Sequence, residues 1–150
     1  MVLKALKMVP ESTLTVVGQP FNDDEKKLIQ SLEIEKQITQ IKASDEELTE
    51  LYASSSALIF SSKMEGFGLP VLESFAAGCP VICSDIPVFR EVGGDTALYF
   101  DPDSPASLAE VMRQNMKARR TENLAAQLAK FSWKKCADET YQVYESVLKK

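Results

Sequence analysis

At 150 residues and 45% apolar content, the chain is long enough to bury one substantial core, and nothing in it calls for a second domain. Its formal net charge of −5, with acids and bases interspersed, lacks the one-signed basic field that nucleic acid or an anionic membrane demands, so neither is expected as a partner. Histidine is absent, which leaves any catalysis to carboxylates or a borrowed base, and Cys79, Cys83 and Cys136 form an odd set without a CxxC pair, which suggests neither a disulfide framework nor a zinc ribbon.

A reduced, cytoplasmic setting is therefore expected, with no metal. The opening MVLKALKMVP is interrupted by Pro10 too soon for a signal peptide, and no run is long enough to insert in a membrane.

In chain order, a helix is expected over Val2–Met8, a strand over Thr13–Val17, a helix over Asp24–Leu32 and a strand over Gln37–Ile41. Ser44 with Glu47 forms a capping box for a helix over Asp45–Ala53, followed by a strand at Ala57–Phe60. A helix over Pro70–Ala77 ends at Gly78, which stands where a left-handed C-cap belongs. Strand Val81–Cys83, helix Pro87–Val92 and strand Leu98–Phe100 follow, and beyond Ser104-Pro105 only helical periodicity remains, near Pro105–Met116, Glu122–Lys130 and Trp133–Leu148. Brief apolar runs alternating with amphipathic stretches indicate an α/β, Rossmann-like doubly wound parallel sheet with C-terminal helices, a single domain over residues 1–150. The chain opens on a helix where such a fold leads with a strand, so it is expected to begin inside a larger protein and to lack the first strand.

The densest chemistry lies in SSKMEGFGLPVLESFAAG, residues 61–78, between a strand and a helix, where open α/β sheets bind ligands. Gly66 and Gly68 flank Phe67 and let the backbone approach a ligand closely. Pro70 suits the first helical position, which makes Leu69 the expected N-cap; leucine accepts no hydrogen bond, so the first amides stay free for an anion such as phosphate. Glu65 before this helix start and Glu73 one turn inside it can reach one pocket, and carboxylates accept well from vicinal sugar hydroxyls. An alternative stands beside this: Glu65 as a solvated loop residue, and Glu73 as a favourable neighbour of the helix dipole worth about 0.3–1 kcal/mol.

Glu65 to Glu73, E-G-F-G-L-P-x-L-E, resembles the E-x7-E signature of the family 4 (group 1) retaining glycosyltransferases of the GT-B fold. Ala76 to Pro102 is similar to the family's following stretch, Phe131-Ser132-Trp133 to the F-S-W that opens its last helix, and Leu14–Gly18 and Asp45–Ser55 keep the family order. The resemblance implies the C-terminal, nucleotide-sugar-binding half of a GT-B enzyme. The catalytic residue of this half would be Glu65, against the transferred sugar's hydroxyls, with Glu73 on the ribose diol. Gly66, Phe67 and Gly68 would line the sugar, Leu69 and Pro70 the diphosphate, and Gly18 the base. The donor would be a GDP- or UDP-sugar, with mannose favoured, and the partner an N-terminal acceptor domain of the same protein. Two departures stand out: the family's Arg and Lys that neutralise the diphosphate have no counterpart in this chain, Lys4 and Lys7 being no substitute, and Lys42 stands where many members carry glycine.

A stand-alone, non-catalytic nucleotide-binding or regulatory module is the alternative, whereas a dinucleotide-dependent dehydrogenase would need G-x-G-x-x-G after the first strand, where VVGQPF offers only Gly18. Trp133, Tyr141 and Tyr144, at roughly helical spacing, are expected to pack the last helix on the core; where that helix meets another domain in relatives, its bared face predicts self-association. Cys79 and Cys83 read as inert core thiols, and Asp85 as a turn cap.

Overall fold

The computed structural model describes residues 1–117 and 123–149. Its elements are α1 (Val2–Lys7), β1 (Leu14–Val17), α2 (Asp23–Leu32), β2 (Ile38–Ile41), α3 (Asp45–Ser54), β3 (Leu58–Phe60), α4 (Leu69–Ala76), β4 (Val81–Ser84), α5 (Pro87–Gly93), β5 (Leu98–Phe100), α6 (Pro105–Lys117), α7 (Leu124–Leu128) and α8 (Trp133–Leu148). The capping box of Ser44 and Glu47 is present, and a second one, Asn22 with Glu25, starts α2 one residue earlier than expected. Gln37 falls in a 3-10 turn rather than in β2; its side-chain amide donates to the carbonyls of Val9 at 3.2 Å and Ser12 at 2.9 Å, tying the turn after α1 to the start of β2. Of the helix expected over Glu122–Lys130, Glu122 lies outside the described residues.

All strand pairs are parallel. Their ladders fall into two groups, β1 with β2 and β3-β4-β5. Side chains alternate across the strands. Ile82 joins a core with Leu6, Val9, Ile29, Leu108 and Met112 under α1, α2 and α6, while its neighbours Val81 and Cys83 join Val71, Phe75, Phe89 and Val92 under α4 and α5. Helices thus cover both faces, the doubly wound arrangement expected. Among the described residues no helix is long and apolar enough to cross a membrane.

The C-terminal helix departs from expectation. No residue of α8 is buried, and Trp133, Tyr141 and Tyr144 are 78%, 62% and 64% exposed. Helical spacing had marked an apolar face correctly, but spacing says nothing of what covers it. Tyr141, Tyr144 and Leu148 form a stripe on successive turns, open to solvent. The 150-residue chain is therefore expected to associate with itself as its concentration rises, and Tyr144→Glu with Leu148→Glu to keep it monomeric, as sedimentation would read; a wild-type chain monomeric at high concentration would contradict this.

Candidate functional site

The apolar run Leu58–Phe60 enters the sheet as β3, and residues 61–68 carry the chain from its carboxyl end to α4. The cap of α4 is Gly68, not Leu69 as expected, and Leu69 and Pro70 occupy the first two helical positions. The reason lies in the backbone: Gly68 adopts φ 98°, ψ 46°, where side chains are strained, and a Cβ there would stand 3.0 Å from the Phe89 ring. Glycine alone satisfies both conditions. The shift leaves the expected chemistry intact, because Gly68 offers no side-chain acceptor either. Pro70 has no N–H, Val71 donates back to the Gly68 carbonyl at 3.0 Å, and the amides of Gly68 and Leu69 have no acceptor among the described residues.

Glu65 and Glu73, before and inside this helix start, are both exposed, and neither joins an ion pair among the described residues. Glu73 has a neighbour that sequence reasoning missed. Tyr52 on α3, half-buried, has its phenol pushed up to about 12, first by burial and then by the Glu73 carboxylate. Only the packing of α3 on α4 brings them together, and no local pattern announces it.

The loop itself is held from two sides. Phe67 meets Phe131 edge-on, with ring centroids 5.9 Å apart and planes at 80°, and Lys63 pairs with Asp103 in the turn after β5. A Cβ added at Gly66 would meet nothing within 4 Å, so the loop backbone there is open to close approach. Gly18, at the carboxyl end of β1, takes φ 138° and donates its N–H to the Ile41 carbonyl at 3.1 Å. It thus sits beside the end of β2, in the other strand group from β3.

At the end of β4, Asp85 forms an ion pair rather than the expected turn cap. Its two oxygens accept from Arg90 Nε and Nη2, each at 2.6 Å, and the guanidinium lies 3.8 Å over the Tyr99 ring. The Arg90 hydrogen bond holds the Asp85 carboxyl below the usual carboxylate range. Cys79 and Cys83 are buried as expected, and burial pushes the Cys83 thiol up to about 12, so it stays protonated and unreactive.

Residues 1–138 match the family model described as glycosyl transferases group 1. The O-antigen chain mannosyltransferase B of Escherichia coli is 35% identical over 106 residues, covering 67% of this chain and 28% of that protein. The MMP alpha-(1->4)-mannosyltransferase of Mycolicibacterium hassiacum is 32% identical over 137 residues, covering 85% of this chain and 33% of the relative. The structure of Anabaena HepE in complex with UDP and glucose matches with a TM-score of 0.82 at 17% identity, over 97% of this chain and 44% of that one, which shows a shared fold. The chain spans a third or less of the length of these two mannosyltransferases.

Proposed function

The chain belongs to the group 1 glycosyl transferases, and on that premise we propose that it is the nucleotide-sugar-binding half of a retaining hexosyltransferase whose acceptor domain lies elsewhere in the same protein. The observation that carries this reading is the start of α4: two backbone amides, of buried Gly68 and exposed Leu69, without acceptors among the described residues, between two exposed carboxylates that join no ion pair there. Amides at the positive end of a helix favour a phosphate oxygen, and carboxylates on either side favour hydroxyls over further anions. A sugar diphosphate carries both kinds of group on one molecule.

In this reading Glu65 accepts from the transferred sugar, Glu73 from the ribose diol, Gly66 to Gly68 line the sugar, and Leu69 with Pro70 adjoin the diphosphate. Gly18 borders the base. Tyr52 steadies Glu73 from behind. Mannose as the sugar is supported by the names of the two relatives, both mannosyltransferases; a nucleoside diphosphate is supported by the UDP bound to HepE. The two cations nearest the helix start in sequence, Lys63 and Arg90, are already paired with Asp103 and Asp85. The diphosphate charge is then left to groups outside this chain, and the chain by itself binds donor feebly and transfers nothing.

The test separates the two carboxylates. Each charge-assisted hydrogen bond is worth about 1.5–3 kcal/mol, so losing one weakens binding roughly tenfold to 150-fold. Glu73→Gln is expected to weaken GDP or UDP and the sugar nucleotide alike, whereas Glu65→Gln weakens only the sugar nucleotide, as read by calorimetry on the protein containing both halves. On the 150-residue chain, amide shifts on adding GDP-mannose or UDP-glucose should appear first over Gly66 to Glu73. Saturating ligand that moves no amide there would sink the proposal.

A further inference from the structure

Gln40 stands where the pattern of its strand calls for an apolar residue. Side chains alternate along β2, so Gln40 shares a face with Ile38, which packs on the core under α1, α2 and α6, yet it carries a half-buried amide there. Both ends of that amide are used. Its oxygen accepts from the Phe21 N–H at 3.2 Å, and its nitrogen donates to the Gln19 carbonyl. One side chain thereby clamps both sides of Pro20, the residue of this turn that has no N–H of its own.

Residues 18–21 carry the chain from β1 to the Asn22 cap of α2. The turn is fixed on its inner side, where Gly18 donates to Ile41 and Phe21 packs on the core. Its outer side is open. Gly18, Gln19 and Pro20 are exposed, a Cβ at Gly18 would meet nothing within 4 Å, and the Gln19 N–H has no acceptor among the described residues. A flat ring laid against Gly18 would find backbone held in one place beside a free donor. Gln37 offers the contrast: it ties a turn to β2 in the same manner, through the Val9 and Ser12 carbonyls, but at the amino end of the strand. Gln40 acts at the carboxyl end, where open α/β sheets bind ligands.

We propose that Gln40 is a positioning residue for the nucleobase of the donor: it holds the turn in the one shape that presents the Gln19 N–H to a carbonyl oxygen of the base. The proposal rests on the reading of this chain as a nucleotide-sugar-binding half. Guanine and uracil carry such an oxygen and adenine has none, so the clamp selects GDP or UDP against ADP.

Calorimetry on the protein containing both halves compares ADP with the tighter binder of GDP and UDP, in wild type, Gln40→Leu and Gln37→Leu. Wild type is expected to favour the carbonyl-bearing base roughly tenfold, as one hydrogen bond allows, and Gln40→Leu to lose most of that ratio. Gln37→Leu keeps the ratio, whatever it costs in stability. Gln40→Met, unbranched and of similar length, serves as second variant where leucine disturbs folding. Amide exchange checks the clamp itself: Phe21 should exchange about tenfold faster in either Gln40 variant, with Gly18 unchanged. A ratio near one in wild type, a ratio untouched in the Gln40 variants, an equal change in Gln37→Leu, or unaltered exchange at Phe21 overturns the proposal and leaves the helix-start site standing. Failure of all three nucleotides to bind overturns it together with the donor reading.

Discussion

Gly68→Ala is expected to destabilise the protein by about 2–4 kcal/mol, since the added methyl meets two separate penalties, the positive φ and the Phe89 ring. For a chain of this size each kcal/mol lowers the melting temperature by roughly 2–4 °C, so the transition should fall by about 4–16 °C. Donor binding should fall further than stability alone explains, because the strained residue also sets the direction of the two unpaired amides. Combining Gly68→Ala with Phe89→Leu separates the causes: the smaller side chain relieves the 3.0 Å approach and leaves the backbone strain. A melting temperature equal to wild type in Gly68→Ala would show that the cap conformation described here is wrong.

Phe89→Ala is expected to have the larger effect on stability, about 3–5 kcal/mol, as the cost of emptying a fully buried aromatic site. The ring packs 4.9 Å from Phe60 at the end of β3 and against Gly68 at the start of α4, so the cavity would open under the loop that joins them. Denaturant unfolding should show a lower midpoint at unchanged slope. Crevices in this place should also loosen the Glu65 loop, which predicts faster exchange at Phe67 and Gly68 under conditions where the rest of the chain stays folded. A loss below about 1 kcal/mol would mean that the site collapses around the missing ring, contrary to the packing described.

Much of this was legible in the sequence because its signals are local. β5 at Leu98–Phe100 and α8 at Trp133–Leu148 fall on the residues expected, and the Ser44 capping box needs only residues three apart. The helix start at residues 68–70 was placed one position late, since proline favours the first turn without saying which position it takes, and only the Phe89 contact explains why glycine is the cap. What escaped notice is mostly non-local: Tyr52 beside Glu73 and Lys63 with Asp103. Each joins segments whose meeting is set by how helices and turns stack. The face of α8 was legible as apolar and misread as covered, because amphipathic spacing marks a surface without naming its partner. Strand pairing was illegible for a similar reason: ladders join distant residues.

The contact of Phe67 with Phe131 links two of the stretches that resemble the family, one before α4 and one before α8. An edge-to-face pair is worth about 0.5–1.5 kcal/mol, which favours the docked loop over a displaced one by only a few-fold to about tenfold. Such a latch is weak enough for a ligand to undo and strong enough to set where the loop rests. Force applied at the start of the last helix would reach the helix-start loop through that pair of rings, so the C-terminal end of the chain and the loop before α4 share a mechanical fuse.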